Sequence, residues 1–209
     1  MKHVVPHHFS SADQAYESSK LGLWVFLVTE ILLFGGLFVA YIVFRGLYPE
    51  SFLEAHHHLN RVMGSINTVV LLFSSLTMAL AVDRSKRGDG KKAGWLLLMT
   101  LLCGAAFMTI KYFEYMHKIH DGLLPGLMFS NAGITDPHVP LFFSLYFMMT
   151  GLHGTHVLVG MGLIAWCLIR TKRGDFSPEY HTPVELTGLF WHLVDLIWIY
   201  LFPLLYLIG

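Results

Sequence analysis

Charge is what this chain has least of. Of its 209 residues, 14 are Lys or Arg and 14 are Asp or Glu, so 13% are charged while 55% are hydrophobic. A soluble domain carries about 25% charged residues, and the deficit points to lipid rather than water around much of the chain. The two signs cancel to a formal net charge of zero, which excludes the basic face that nucleic-acid binding needs. Cysteine is nearly absent. Cys103 and Cys167 lie inside apolar runs and form no CxxC pair, which excludes a disulfide scaffold or a cysteine-based zinc site and leaves two reduced packing residues. Ten-residue segments of alternating polarity are missing, which excludes a membrane barrel. There is no nucleophile–base–acid set, no phosphate-binding loop and no haem-attachment motif, so no catalytic centre is expected in this chain. Residues 1–20 are polar and His-rich, with His7 and His8, and lack the apolar core of a cleavable signal peptide.

What is there is five long apolar runs. A bilayer core of about 30 Å needs roughly 20 apolar residues in a helix. The runs 21–44, 63–82, 93–117, 139–169 and 184–208 meet that length. Backbone polar groups cannot go unpaired in lipid, so each run is expected to be a helix. The fold class is all-α: a polytopic bundle of five transmembrane helices over 21–209, preceded by a short segment over 1–20. The run 139–169 amounts to about 46 Å of helix at 1.5 Å per residue, so it must tilt or project. Gly151, Gly154, Gly160 and Gly162 give it a small-residue surface for close helix approach.

Lys and Arg set the expected orientation. Lys2, Lys20, five basic residues in 83–92, and Arg170, Lys172 and Arg173 make ten on one side, against Arg45, Arg61 and Lys118 on the other. The N-terminus is therefore expected in the cytoplasm and the C-terminus outside.

Ionisable residues inside a bilayer are costly and are functional candidates by default. Glu30 lies near the middle of the first run, His153 and His156 near the middle of the fourth, and His192 and Asp195 near the middle of the fifth. Three runs thus carry such groups at similar depth, as expected if they face one another. Glu30 has Phe26, Leu33 and Phe34 around it. Burial among such groups disfavours a charged carboxylate. Two readings stand: a carboxyl that exchanges protons, or a neutral one that fixes helix packing. His153 and His156 share a helix face. A metal there would need ligands from another helix, and none stands in a recognisable motif, so interhelical hydrogen bonding is preferred. Two histidines this close on one helix cannot clamp a haem. His192 and Asp195 are expected to pair with each other or with the fourth run. Lys111 and Glu114 suit a local ion pair or snorkelling at the interface, His56, His57 and His58 a solvated loop, and Trp191, Trp198, Tyr200 and Tyr206 an interface belt.

Four segments carry a family resemblance. KLGLWVFLVTEILLFGGLFVAY resembles the buried-Glu span of the haem–copper oxidase subunit III family. YFEYMHKIHDGLLPG resembles its Glu-Tyr segment leading into Asp-Gly, TGLHGTHVLVG its two-histidine motif, and ELTGLFWHLVDLIWIYLFPLLY its Glu…Trp-His-x-Val-Asp motif. They occur in order over residues 20–208. The resemblance implies an accessory role beside subunits I and II, which hold the haems and copper that reduce oxygen and move protons. It implies no cofactor in this chain, bound phospholipid, support of complex stability and proton uptake, and a bacterial cytoplasmic (inner) membrane. A small additional subunit or a respiratory supercomplex are further partners in this family; nucleic acid is not. By resemblance, Glu30 matches the carbodiimide-reactive Glu, and His153, His156, Glu185, His192 and Asp195 match the interhelical polar positions. Arg170 matches an arginine that contacts a lipid head group, although Asp175 stands where some relatives have His. The chain is similar to the five-span bacterial form, without the two leading helices of the seven-span form. Cytochrome c is the expected electron donor and ubiquinol the alternative, separable by the dicopper centre of subunit II that quinol oxidases lack. A reading of another class is a stand-alone proton or metal transporter, which would require ion movement by the purified chain.

Overall fold

A computed structural model describes residues 10–125, 128–130, 133–134 and 136–207; His7 and His8 lie outside them. The elements are α1 (Ala12–Leu47), α2 (Pro49–His56), α3 (Arg61–Lys86), α4 (Gly90–His120), α5 (Val139–Lys172) and α6 (Thr182–Phe202), closed by a π-turn at Pro203–Leu207. All but α2 are long and apolar enough to cross a membrane. The described residues form no strand, only the isolated bridges Leu123–Phe129 and Ser177–Tyr180.

Helix ends follow from local chemistry. The Ser11 hydroxyl accepts the Gln14 N–H at 3.1 Å and starts α1. Ala, Gln, Glu and Lys between 12 and 20 are good helix formers, so α1 runs back through most of the polar segment. At the other end of the hairpin α3–α4, Gly88 takes φ 75°, a left-handed conformation that costs glycine little. Asp89 then accepts the Lys92 N–H at 3.2 Å and caps α4. Helix α2 was not evident as a hydrophobic run; Pro49 opens it and Phe52 and Ala55 bury one face.

Helices α3, α4, α5 and α6 form a four-helix core, and α1 leans on α5 and α6 from outside. Helix α6 is central: 56% of its most apolar stretch is buried, against 17% for α1. The exposed Leu21, Leu32 and Val39 of α1 are suited to lipid, where apolar surface carries no hydration penalty. Helices associate in lipid through close packing rather than apolar burial. Trp191 of α6 is the main example. Its indole is fully buried between Gly104 of α4 and Gly160 of α5, where an added Cβ would lie 3.1 Å and 2.7 Å from the ring. Of the other glycines on the α5 surface, Gly151 and Gly154 approach Tyr115 and Met108 of α4, while Gly162 has nothing within 4 Å.

Candidate functional site

The polar groups at mid-depth divide between two helix contacts. In the first, α1 and α5 bring Glu30 and His156 together, with Oε2 and Nε2 2.8 Å apart and each side chain 14% exposed. The other ring nitrogen, Nδ1, lies 2.8 Å from the Leu152 carbonyl. A carbonyl only accepts, so Nδ1 carries a hydrogen. Nε2 then either accepts from a protonated Glu30 or donates, as imidazolium, to its carboxylate. Both arrangements place one proton between the same two atoms. Phe34 stands edge-on to the His156 ring at 5.4 Å and Phe190 stacks on it at 6.4 Å, fixing the imidazole in an apolar frame.

The second contact lies inside the four-helix core. His192 of α6 meets Ser75 of α3, Nδ1 to Oγ 2.8 Å. This corrects the expectation that His192 pairs with Asp195 or the fourth run. One helical turn separates His192 from Asp195 on α6, but α3 is the neighbour on that face, and it offers a hydroxyl. Asp195 and His153 are 3% and 1% exposed, and among the described residues neither has a hydrogen-bond partner on any side-chain N or O. His153 instead sits between the rings of Phe107 and Trp198, at 5.6 and 5.3 Å. Trp191 and Trp198 are not belt residues. Both are fully buried, their N–H groups donating to Ser74 and Thr68 of α3 at 3.1 Å. Tyr206 is buried as well, and of the four only Tyr200 is exposed.

Near the end of α4 lies a cluster that sequence reasoning placed at the interface. Lys111, Glu114 and Lys118 are 7%, 2% and 2% exposed. Glu114 pairs with Lys111 at 2.9 Å and Lys118 at 3.6 Å. It also accepts the hydroxyls of Tyr146 and Tyr206. Lys111 Nζ donates to Tyr206 at 2.8 Å and stands 4.7 Å from the Trp198 ring centre. The local ion pair was expected; the snorkelling was not correct, because tyrosines from α5 and the π-turn close over the charges. A signal existed: Gly104, Phe107, Lys111, Glu114 and Lys118 form one helical stripe, and its apolar members are core. His56 also departs from the solvated-loop reading. It is buried, with Nδ1 donating to the Leu205 carbonyl at 3.0 Å and Nε2 2.7 Å from Arg61. His57 and His58 are exposed. Tyr41 donates to the Leu204 carbonyl at 2.9 Å, so two side chains satisfy carbonyls that the end of α6 leaves open.

At the opposite end, Glu185 collects Lys86 at 3.1 Å, the Tyr16 hydroxyl at 3.2 Å and His181 at 3.4 Å. Tyr16 and His181 form the polar edge of a cavity of about 810 Å³ between α1, α5 and α6 that is apolar along Leu23, Phe26, Leu163 and Phe190. Arg170 stands beside it. Its Nε donates to Asp175 at 3.0 Å, and its guanidinium covers Trp166, a cavity wall, at 5.2 Å. Asp175 therefore occupies one edge of the guanidinium fork.

Residues 7–209 match the family model described as cytochrome c oxidase subunit III. The chain belongs to that family. It is 33% identical to quinol oxidase subunit 3 of Bacillus spizizenii, over 100% of this chain and 98% of the relative. It is 33% identical to cytochrome c oxidase subunit 3 of Thermostichus vulcanus, over 95% and 92%. The same identity holds with cytochrome bo(3) ubiquinol oxidase subunit 3 of Pseudomonas putida, over 90% and 85%. Members of this family are subunits of haem–copper oxidase complexes, and this one is a multi-pass membrane protein that associates with other oxidase subunits.

Proposed function

We propose that this chain is the accessory subunit III of a proton-translocating cytochrome c oxidase in a bacterial inner membrane, with its N-terminus in the cytoplasm. It holds no redox centre and acts beside subunits I and II through complex stability, phospholipid binding and proton uptake. The observation that carries the reading is the Glu30–His156 pair. One proton held between two atoms 2.8 Å apart can pass between carboxylate and imidazole without moving a helix. Ten basic residues against three support the orientation. The cavity beside Arg170, polar at one end and apolar along its length, suits a phospholipid. The residue-level proposal is that Glu30 and His156 serve proton exchange, Arg170 the lipid head group, and His153, His192, Asp195 and Glu185 the helix contacts.

A quinol donor is the second reading, favoured by the end-to-end match to the Bacillus spizizenii protein. Under either donor the role of the pair is tested by Glu30→Gln. A Gln amide can donate to His156 Nε2 and keep the contact but carries no transferable proton. The expected result is normal haem and copper content with reduced proton uptake or a shorter lifetime under turnover. Unchanged activity, lifetime and carbodiimide labelling would make the pair a packing contact alone.

A further inference from the structure

We propose that the core between α3, α4, α5 and α6 binds ordered water through Asn67, His153 and Asp195. These three side chains come from three helices and are 0%, 1% and 3% exposed. Both polar atoms of each lack a hydrogen-bond partner among the described residues. Elsewhere this interior satisfies its polar groups closely: Ser74 takes Trp191, Thr68 takes Trp198, and Thr77 meets Thr100 at 2.8 Å. Buried polar groups left without partners are strongly disfavoured, so three such side chains on the buried faces of α3, α5 and α6 mark a core that something else completes. The surrounding chain walls off lipid and partner subunits. Water fits because it both donates and accepts, as an amide, an imidazole and a carboxyl collectively require, and because buried water needs two to four polar partners.

The neighbours supply those partners. The Ser75 hydroxyl, which meets His192 Nδ1 at 2.8 Å, stands beside the Asp195 carboxyl. On α6, Trp198 lies one turn from Asp195 on the same face, and its ring touches both His153 and the Lys111 ammonium. Asn67 is two turns from Ser74 on the buried face of α3.

The test uses the protein as extracted from membranes, in whatever complex it forms. Electron cryomicroscopy at water-resolving resolution is expected to place water within hydrogen-bond distance of at least two of Asn67, His153 and Asp195. Radiolytic hydroxyl labelling is expected to modify the buried Trp198 several-fold faster, after correction for intrinsic reactivity, than Phe142, which is equally buried beside no unpaired polar group. Asn67→Leu is expected to lower the Trp198 rate towards that of Phe142. Direct side-chain bonds among the three residues with no water between them, or equal labelling of Trp198 and Phe142, would overturn the proposal. Should the variant fail to assemble, the unsubstituted protein decides the question by itself.

Discussion

Glu114→Gln is expected to be the most damaging single polar substitution in this chain. Two ammonium groups, Lys111 and Lys118, are buried with one carboxylate between them. Removing that charge leaves both cations unpaired, and breaking a buried pair in this way costs about 3–5 kcal/mol. The other members rank by distance. Lys118 sits 3.6 Å from Glu114 and Lys111 2.9 Å, and Lys111 also donates to Tyr206. Lys118→Met leaves the shorter pair and both tyrosine hydrogen bonds intact and is expected to cost about 1 kcal/mol or less, within the range of a single hydrogen bond. Lys111→Met falls between. The assay is retention of the subunit after detergent extraction and its thermal release from the complex, followed by native gel electrophoresis. The predicted order of damage is Glu114→Gln, then Lys111→Met, then Lys118→Met, with Lys111→Met partly restoring Glu114→Gln. If Glu114→Gln is no worse than Lys118→Met, the two cations are not anchored on Glu114.

Two further outcomes are expected. Gly160→Ala forces a Cβ to 2.7 Å from Trp191 and should cost about 1–3 kcal/mol, as overpacking does. Gly162→Ala on the same helix meets nothing within 4 Å and should be near neutral in the same thermal assay. His56 should give the subunit a pH dependence. Burial is the largest cause holding its pKa below the ordinary 6.5. The folded state therefore resists protonation while the unfolded chain accepts a proton near that value. Stability should be full above about pH 6.5 and fall as pH drops below it. Thermal release measured from pH 8 to 5 should show the decline, and His56→Gln should flatten it.

The five spans were legible because length and apolarity alone specify a membrane helix. The Glu30–His156 contact was only half legible. Periodicity identifies both residues as mid-depth, but which helices face one another is set by packing between elements far apart in the chain, here α1 against α5. For the same reason spacing along α6 does not reveal that His192 meets Ser75 of α3. The Lys111 cluster and His56 were missed for another. Proximity to a helix end suggested solvent, yet Tyr146, Tyr206 and the π-turn come from far along the chain and cover those positions. For Glu114, continuing the Gly104–Phe107 stripe would have predicted burial; for His56 no local pattern would have.

The central claim is that this chain works as subunit III of a haem–copper oxidase. It is tested most directly by purifying the tagged chain from gently solubilised membranes and recording the subunit composition and optical and electron-spin spectra of the product. The account predicts co-purification with two larger subunits, haem absorption, and the signal of a dicopper centre where cytochrome c is the donor. Haem without the dicopper signal would move the donor to quinol. A chain that purifies alone, without haem, and moves ions across liposome membranes would contradict the account.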